Sequence, residues 1–190
     1  MKKILRIIVL ASIMTISLNA SFINALKPEL KVGNVKFGVG QSALGDNTEN
    51  IYKIELGGNY YYNNGIMFGT DIGLSYMENS NIEVEDNTMG ELNVNFKLGY
   101  LIGDNGYGLS TYGLVDFSYL VYNRIGVNSI TNEVEDTLTD ASGIGYGVGI
   151  DYRFKNNFLL SGIYTETTME PEIGEDFKYK KSIVSLGYAW

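Results

Sequence analysis

Met89-Gly90-Glu91-Leu92-Asn93-Val94-Asn95-Phe96-Lys97-Leu98-Gly99-Tyr100 is the stretch on which the fold turns. Leu92, Val94, Phe96, Leu98 and Tyr100 interleave with Glu91, Asn93, Asn95, Lys97 and Gly99. Strict alternation is the mark of a β-strand, because successive side chains leave the backbone on opposite faces. One face is apolar, and the other carries charge, amide and glycine. Seven more segments repeat the pattern: 31–41, 51–61, 66–77, 108–121, 142–154, 158–167 and 181–190. In the fifth, Leu114 and Leu120 interrupt the polar face, and in the seventh Phe158, Leu159 and Leu160 are consecutive.

The connectors alternate as well. Short ones at 62–65, 101–107 and 155–157 hold Asn63-Asn64-Gly65, Asp104-Asn105-Gly106 and Asn156-Asn157, residues that tolerate the positive φ of tight turns. Long ones are expected at 42–50, 78–88, 122–141 and 168–180. This order describes an up-and-down meander with turns at one end and loops at the other.

Composition narrows what the meander can do. The 190 residues contain 23 Gly, 15 Tyr, no Cys and no His. Disulfide frameworks, thiolate and imidazole metal sites and histidine-dependent nucleophile pairs are excluded. A formal charge of −8 argues against a nucleic-acid partner, which needs a basic face. Lys2, Lys3 and Arg6 precede an apolar run, 7–18, followed by small residues. Residues 1–25 therefore read as a secretory signal peptide, cleaved after Ala20 or Ala25, with 26–190 as the mature domain. Its removal leaves 11 of 14 bases against 22 acids, net −11. Fifteen of those acids and three bases fall on the expected loops or at their edge, so −12 sits at one end and +1 on the rest.

An exported eight-stranded meander can close as a soluble barrel with an apolar interior or as a membrane barrel with a polar one. Glycines interspersed with Lys36, Lys53, Lys97, Arg153, Glu55, Asp71, Glu91, Asp116 and Asp151 suit a narrow interior, where they leave room for long charged chains. Aromatic residues gather near the short turns (Tyr60, Phe68, Tyr100, Tyr152, Phe154, Phe158, Tyr188 and Trp190), with fewer near the loops (Tyr76, Tyr119 and Tyr146). Two such belts fit the two lipid–water boundaries. Strands of about 10 residues suffice to cross when tilted. The expected fold is all-β: an eight-stranded antiparallel up-and-down transmembrane β-barrel.

The final Ile183-Val184-Ser185-Leu186-Gly187-Tyr188-Ala189-Trp190, and Asp151-Tyr152-Arg153-Phe154 before a short turn, resemble the small eight-stranded outer-membrane barrels of Gram-negative bacteria. That class includes the OmpA-type barrel domain and the OmpX-like proteins. The resemblance implies an outer-membrane location, contact with outer-membrane lipid and lipopolysaccharide, and assembly by the barrel-assembly machinery. Leu186, Tyr188 and Trp190 would form the assembly signal.

Two site candidates follow. The nine charged residues of the polar face are expected to pair into a network that closes the lumen. Glu83, Glu85 and Asp86 form the densest acidic loop patch, which could gather divalent cations or meet a host surface, although its spacing is not that of an EF-hand. The alternate glycines of 143–149 lie along one strand and lack the strand–turn–helix order of a phosphate loop. No cofactor or catalytic residue is assigned: without histidine, only a carboxylate pair drawn from Asp71, Glu91 and Asp116 would remain, and nothing separates it from the plug. Three functions stay open: a structural surface protein with a charge-plugged lumen, a narrow channel for ions or small hydrophobic molecules, and an adhesin acting through its loops.

Overall fold

A computed structural model describes residues 28–44, 47–78, 88–127, 134–171 and 175–190. The expected signal peptide and the Glu83, Glu85 and Asp86 patch lie outside the described residues. Eight strands form one closed antiparallel barrel: β1 (Leu30–Leu44), β2 (Asn47–Tyr61), β3 (Ile66–Glu78), β4 (Thr88–Asp104), β5 (Tyr107–Val127), β6 (Val134–Arg153), β7 (Phe158–Pro171) and β8 (Phe177–Ala189). Each strand pairs with its sequence neighbours, and β8 closes on β1. At that seam Gly33 and Trp190 exchange two backbone hydrogen bonds of 2.9 Å. The Trp190 indole lies where a Cβ on Gly33 would fall, 2.7 Å away.

The register fixes the stagger. From Asn34 it runs through Gly57, Asp71, Asn95, Asp116, Gly145, Thr167 and Tyr179 and returns to β1 at Leu44, ten residues further along (44 − 34). Eight strands with this stagger tilt by about 40° and enclose a bore that side chains fill. One residue step along a strand is then worth about 2.5 Å of height, and one strand step about 3 Å.

The strands are longer than the alternation alone suggests. Residues 42–44 and 47–50 extend β1 and β2, so the expected first loop is a short hairpin connection. Residues 122–127 and 134–141 are likewise strand, as are 168–171 and 177–180. Above the bilayer no outward residue need be apolar, so the hydropathy pattern fades while the hydrogen-bond ladder continues. Glu49, which the sequence places on a loop, is buried in the lumen as a result. At the turn end, β4 runs on to Asp104, leaving Asn105 (φ 52°) and Gly106 (φ 74°) as a two-residue connection with both φ values positive.

The apolar face points outward. Phe37, Leu56, Ile72, Leu98, Val115, Val148 and Leu186 are among the exposed large side chains. The turn-side aromatics fall within one narrow band of heights, and Tyr76 and Tyr119 stand roughly 20 Å above it, while Tyr146, expected with them, lies about 7 Å lower, within the apolar band. That spacing fits the apolar band of an outer-membrane barrel. In strand β5, Tyr112, Leu114 and Leu120 all face inward, which explains the broken polar face there.

Candidate functional site

All nine charged residues expected on the polar face are buried in the lumen. Eight of them, with Lys181, fall into two runs of alternating sign stacked along the axis. Asp151 stands at the bottom, accepting hydrogen bonds from Tyr112 (2.9 Å) and Ser161 (2.5 Å). Lys97 lies 3.9 Å from Asp151 and 2.8 Å from Asp71, with Tyr112 beneath its ammonium at 5.2 Å. Lys36 bridges Asp71 at 2.7 Å to Glu55 at 3.2 Å, and Lys53 reaches Glu55 at 2.8 Å.

There the lower run of ion pairs ends; an upper cluster begins at Asn93, packed beside the Lys53 stem without a hydrogen bond between them. Lys53 Cε and Asn93 Oδ1 both come within 2.4 Å of the place a Cβ on Gly73 would occupy. Asn93 Nδ2 donates to Asp116 at 3.1 Å. Thr167 donates to the same carboxylate at 2.7 Å. Lys181 then joins Asp116 (3.1 Å) to Glu91, which it contacts directly. Ser118 Oγ is 2.7 Å from both carboxylates, so its single proton serves one at a time. Tyr179, above, approaches Glu91 at 3.2 Å.

By the register heights, the two runs rise from Asp151 to Glu91 over roughly 20 Å, most of the membrane-crossing part of the barrel. Together they form a ladder along the axis, not a ring. By register height two layers bound it, apolar except for Arg153 in the lower and Glu49 in the upper. Val32, Tyr61, Met67 and Leu101 lie below; Met77, Met89, Leu120, Met169 and Tyr179 lie above. Arg153 stands apart near the lower mouth, 2.8 Å from Asn157 and 4.6 Å from the Tyr107 ring.

The sequence reading missed Lys181 and Glu49. Lys181 was treated only as the start of its segment, yet it shares parity with Ile183 and Ser185 and so had to face inward. With it, five bases and six acids are buried among the described residues. Among those residues no group of three or more potential His, Cys, Asp or Glu ligands is placed to hold a metal.

Glycine sets the available space. A Cβ on Gly73 would meet Lys53 and Asn93, whereas one on Gly90 would meet nothing within 4 Å. Gly73→Leu is expected to lower stability by about 1–3 kcal/mol through overpacking. Gly90→Ala should leave it within about 0.5 kcal/mol. Urea unfolding equilibria in lipid vesicles measure both.

A closed barrel with an apolar exterior, aromatic residues at its boundaries and a charged interior is a transmembrane β-barrel. The chain belongs to the outer membrane protein beta-barrel domain family, whose model matches residues 8–190, and it is an outer-membrane protein. No curated protein matches its sequence. Among solved structures it is similar to Ail, the attachment invasion locus protein of Yersinia pestis, with a TM-score of 0.56 and 15% identity over 84% of this chain and 97% of that one. Ail has also been solved in complex with the heparin analogue sucrose octasulfate. Neisserial surface protein A gives a TM-score of 0.52 and 10% identity, covering 83% and 96%. At these identities the likeness is one of fold.

Proposed function

We propose that this protein is a structural outer-membrane barrel with a closed lumen that presents its outer rim to the surroundings. The alternating ladder between two packed layers carries the reading. Buried charges are tolerated when paired, and here every charged group of the ladder lies within 4 Å of one of opposite sign. An ion entering the bore would have to break those pairs and pass the packed side chains above and below them, which disfavours the channel alternative. The purified barrel in liposomes is expected to give no swelling with small sugars and no potassium leak above that of empty liposomes. Swelling that scales with the amount of protein would refute the closed lumen.

The loop-end geometry favours a second role, attachment. Strand β5 last pairs with β4 at Val121, and β7 last pairs with β6 at Pro171 opposite Ala141. Beyond these points β5 and β6 pair only with each other, from Tyr122–Thr139 to Val127–Val134. They form a two-stranded ribbon about 20 Å long that extends past the last pairings with β4 and β7 given for the described residues. The sulfated ligand of Ail is a poor guide to a partner of this chain, because the stretch 122–141 carries four acids against one base. Leu186, Tyr188 and Trp190 all point outward from β8, the strand that completes the seam, which suits their assignment as the assembly-machinery signal.

A further inference from the structure

We infer that the upper layer of the lumen is a binding site for a soft monovalent cation of the Cu(I) class, held by the thioethers of Met77, Met89 and Met169. The methionines of the described residues are Met67, Met77, Met89 and Met169, and every one of them is buried in the lumen. Met67 lies in the lower layer. The other three come from β3, β4 and β7, yet the register brings them to within about 3 Å of one height, roughly 25 Å above Met67.

Met77 and Met89 are register partners, so their side chains stand side by side. The Met77 sulfur reaches the middle of the bore. It accepts hydrogen bonds from Ser42 Oγ on β1 at 3.3 Å and from the Tyr179 hydroxyl on β8 at 3.2 Å. Met169 stands on β7, four strands from β3 and so across the bore. Its sulfur lies 2.8 Å from where a Cβ on its register partner Gly143 would fall, so that glycine makes room for it. Eight strands with a stagger of ten have a Cα radius of about 8 Å, and a methionine sulfur stands about 5 Å from its own Cα, so sulfurs on opposite walls face each other across about 6 Å. That space takes one cation. Thioether chains are flexible and polarizable, and adjustments of less than about 1 Å close the metal–sulfur distances to about 2.3 Å.

The donor set selects the ion. Thioethers without imidazole or thiolate suit a soft cation, whereas Ca²⁺ and Mg²⁺ need several oxygens. Glu49 brings one carboxylate into the same layer, which balances a single positive charge. Met89 is 5% exposed and follows the first residue of β4, so the layer is reached from the loop-side mouth without crossing the ladder. Leu120 fills its share of the layer with plain hydrocarbon. The three thioethers add donor capacity that packing does not require. The inference rests on the register and is independent of whether the lumen is closed.

Leucine replaces methionine with little change in volume, so the ligands can be removed without emptying the layer. The protein, purified from the outer-membrane fraction in mild detergent and chloride-free buffer, would be titrated with silver nitrate, Ag(I) being an air-stable stand-in for Cu(I). Native mass spectrometry is expected to show one Ag(I) retained per barrel. In protein with isotope-labelled methionine methyl groups, the signals of Met77, Met89 and Met169 should move together while that of Met67 stays. Met77→Leu, Met89→Leu and Met169→Leu should each weaken retention by about tenfold or more. Met67→Leu should leave it unchanged. Heat-dependent gel mobility would confirm that the variants fold. Absence of retained silver on the unaltered barrel overturns the site, as does retention that survives the triple substitution at 77, 89 and 169. An equal loss from Met67→Leu would mark adventitious thioether binding only and overturn it too.

Discussion

Replacing Lys181 by Met is expected to lower the stability of the barrel by about 3–5 kcal/mol, the usual result of stranding a buried charge. Lys181 is the only ammonium in direct contact with both Glu91 and Asp116 among the described residues. Ser118, Asn93 and Thr167 also serve these carboxylates, but only as neutral donors. Without Lys181, two carboxylates joined through Ser118 would face each other in a space closed by Tyr179 and Met77. The triple substitution Lys181→Met, Glu91→Gln, Asp116→Asn should recover most of the loss, because it removes the charges together. Urea unfolding equilibria in lipid vesicles read both values. If the single substitution is as mild as a surface change, Lys181 does not hold the upper ladder.

Val148→Arg is the second large effect. Val148 is 61% exposed on the outward face of β6, close to the middle of the apolar band by its height in the register. An arginine there is expected to cost about 2–4 kcal/mol, against about 0–1 near either boundary. Glu170→Arg, on the outward face near the loop-side end of β7, should therefore be almost silent. Equal penalties at the two positions would contradict the placement of the membrane, and with it the outward orientation of the apolar face.

The architecture was legible because lipid enforces it. Within the bilayer every outward residue must be apolar, so the strands announce themselves by parity, as in 89–100. Outside the bilayer that pressure ends, and Ser42, Ala43 and Leu44 look like loop although they pair with Glu49, Thr48 and Asn47. The same boundary hid Glu49. Membership of the charged network was readable from parity one residue at a time, yet its shape was not. Whether Lys36 meets Glu55, Asp71 or both depends on the stagger of ten, which arises from eight separate pairings and leaves no trace in any one segment. The division into a ladder with packed layers at both ends depends on the same quantity. Met77, Met89 and Met169 sit on different strands, and only the register brings them to one height.

The closed lumen is tested most directly by planar-bilayer recording of the purified full-length protein. The barrel is expected to insert without opening ion-conducting steps. Stable, reproducible conductance from the unaltered protein would contradict the plug.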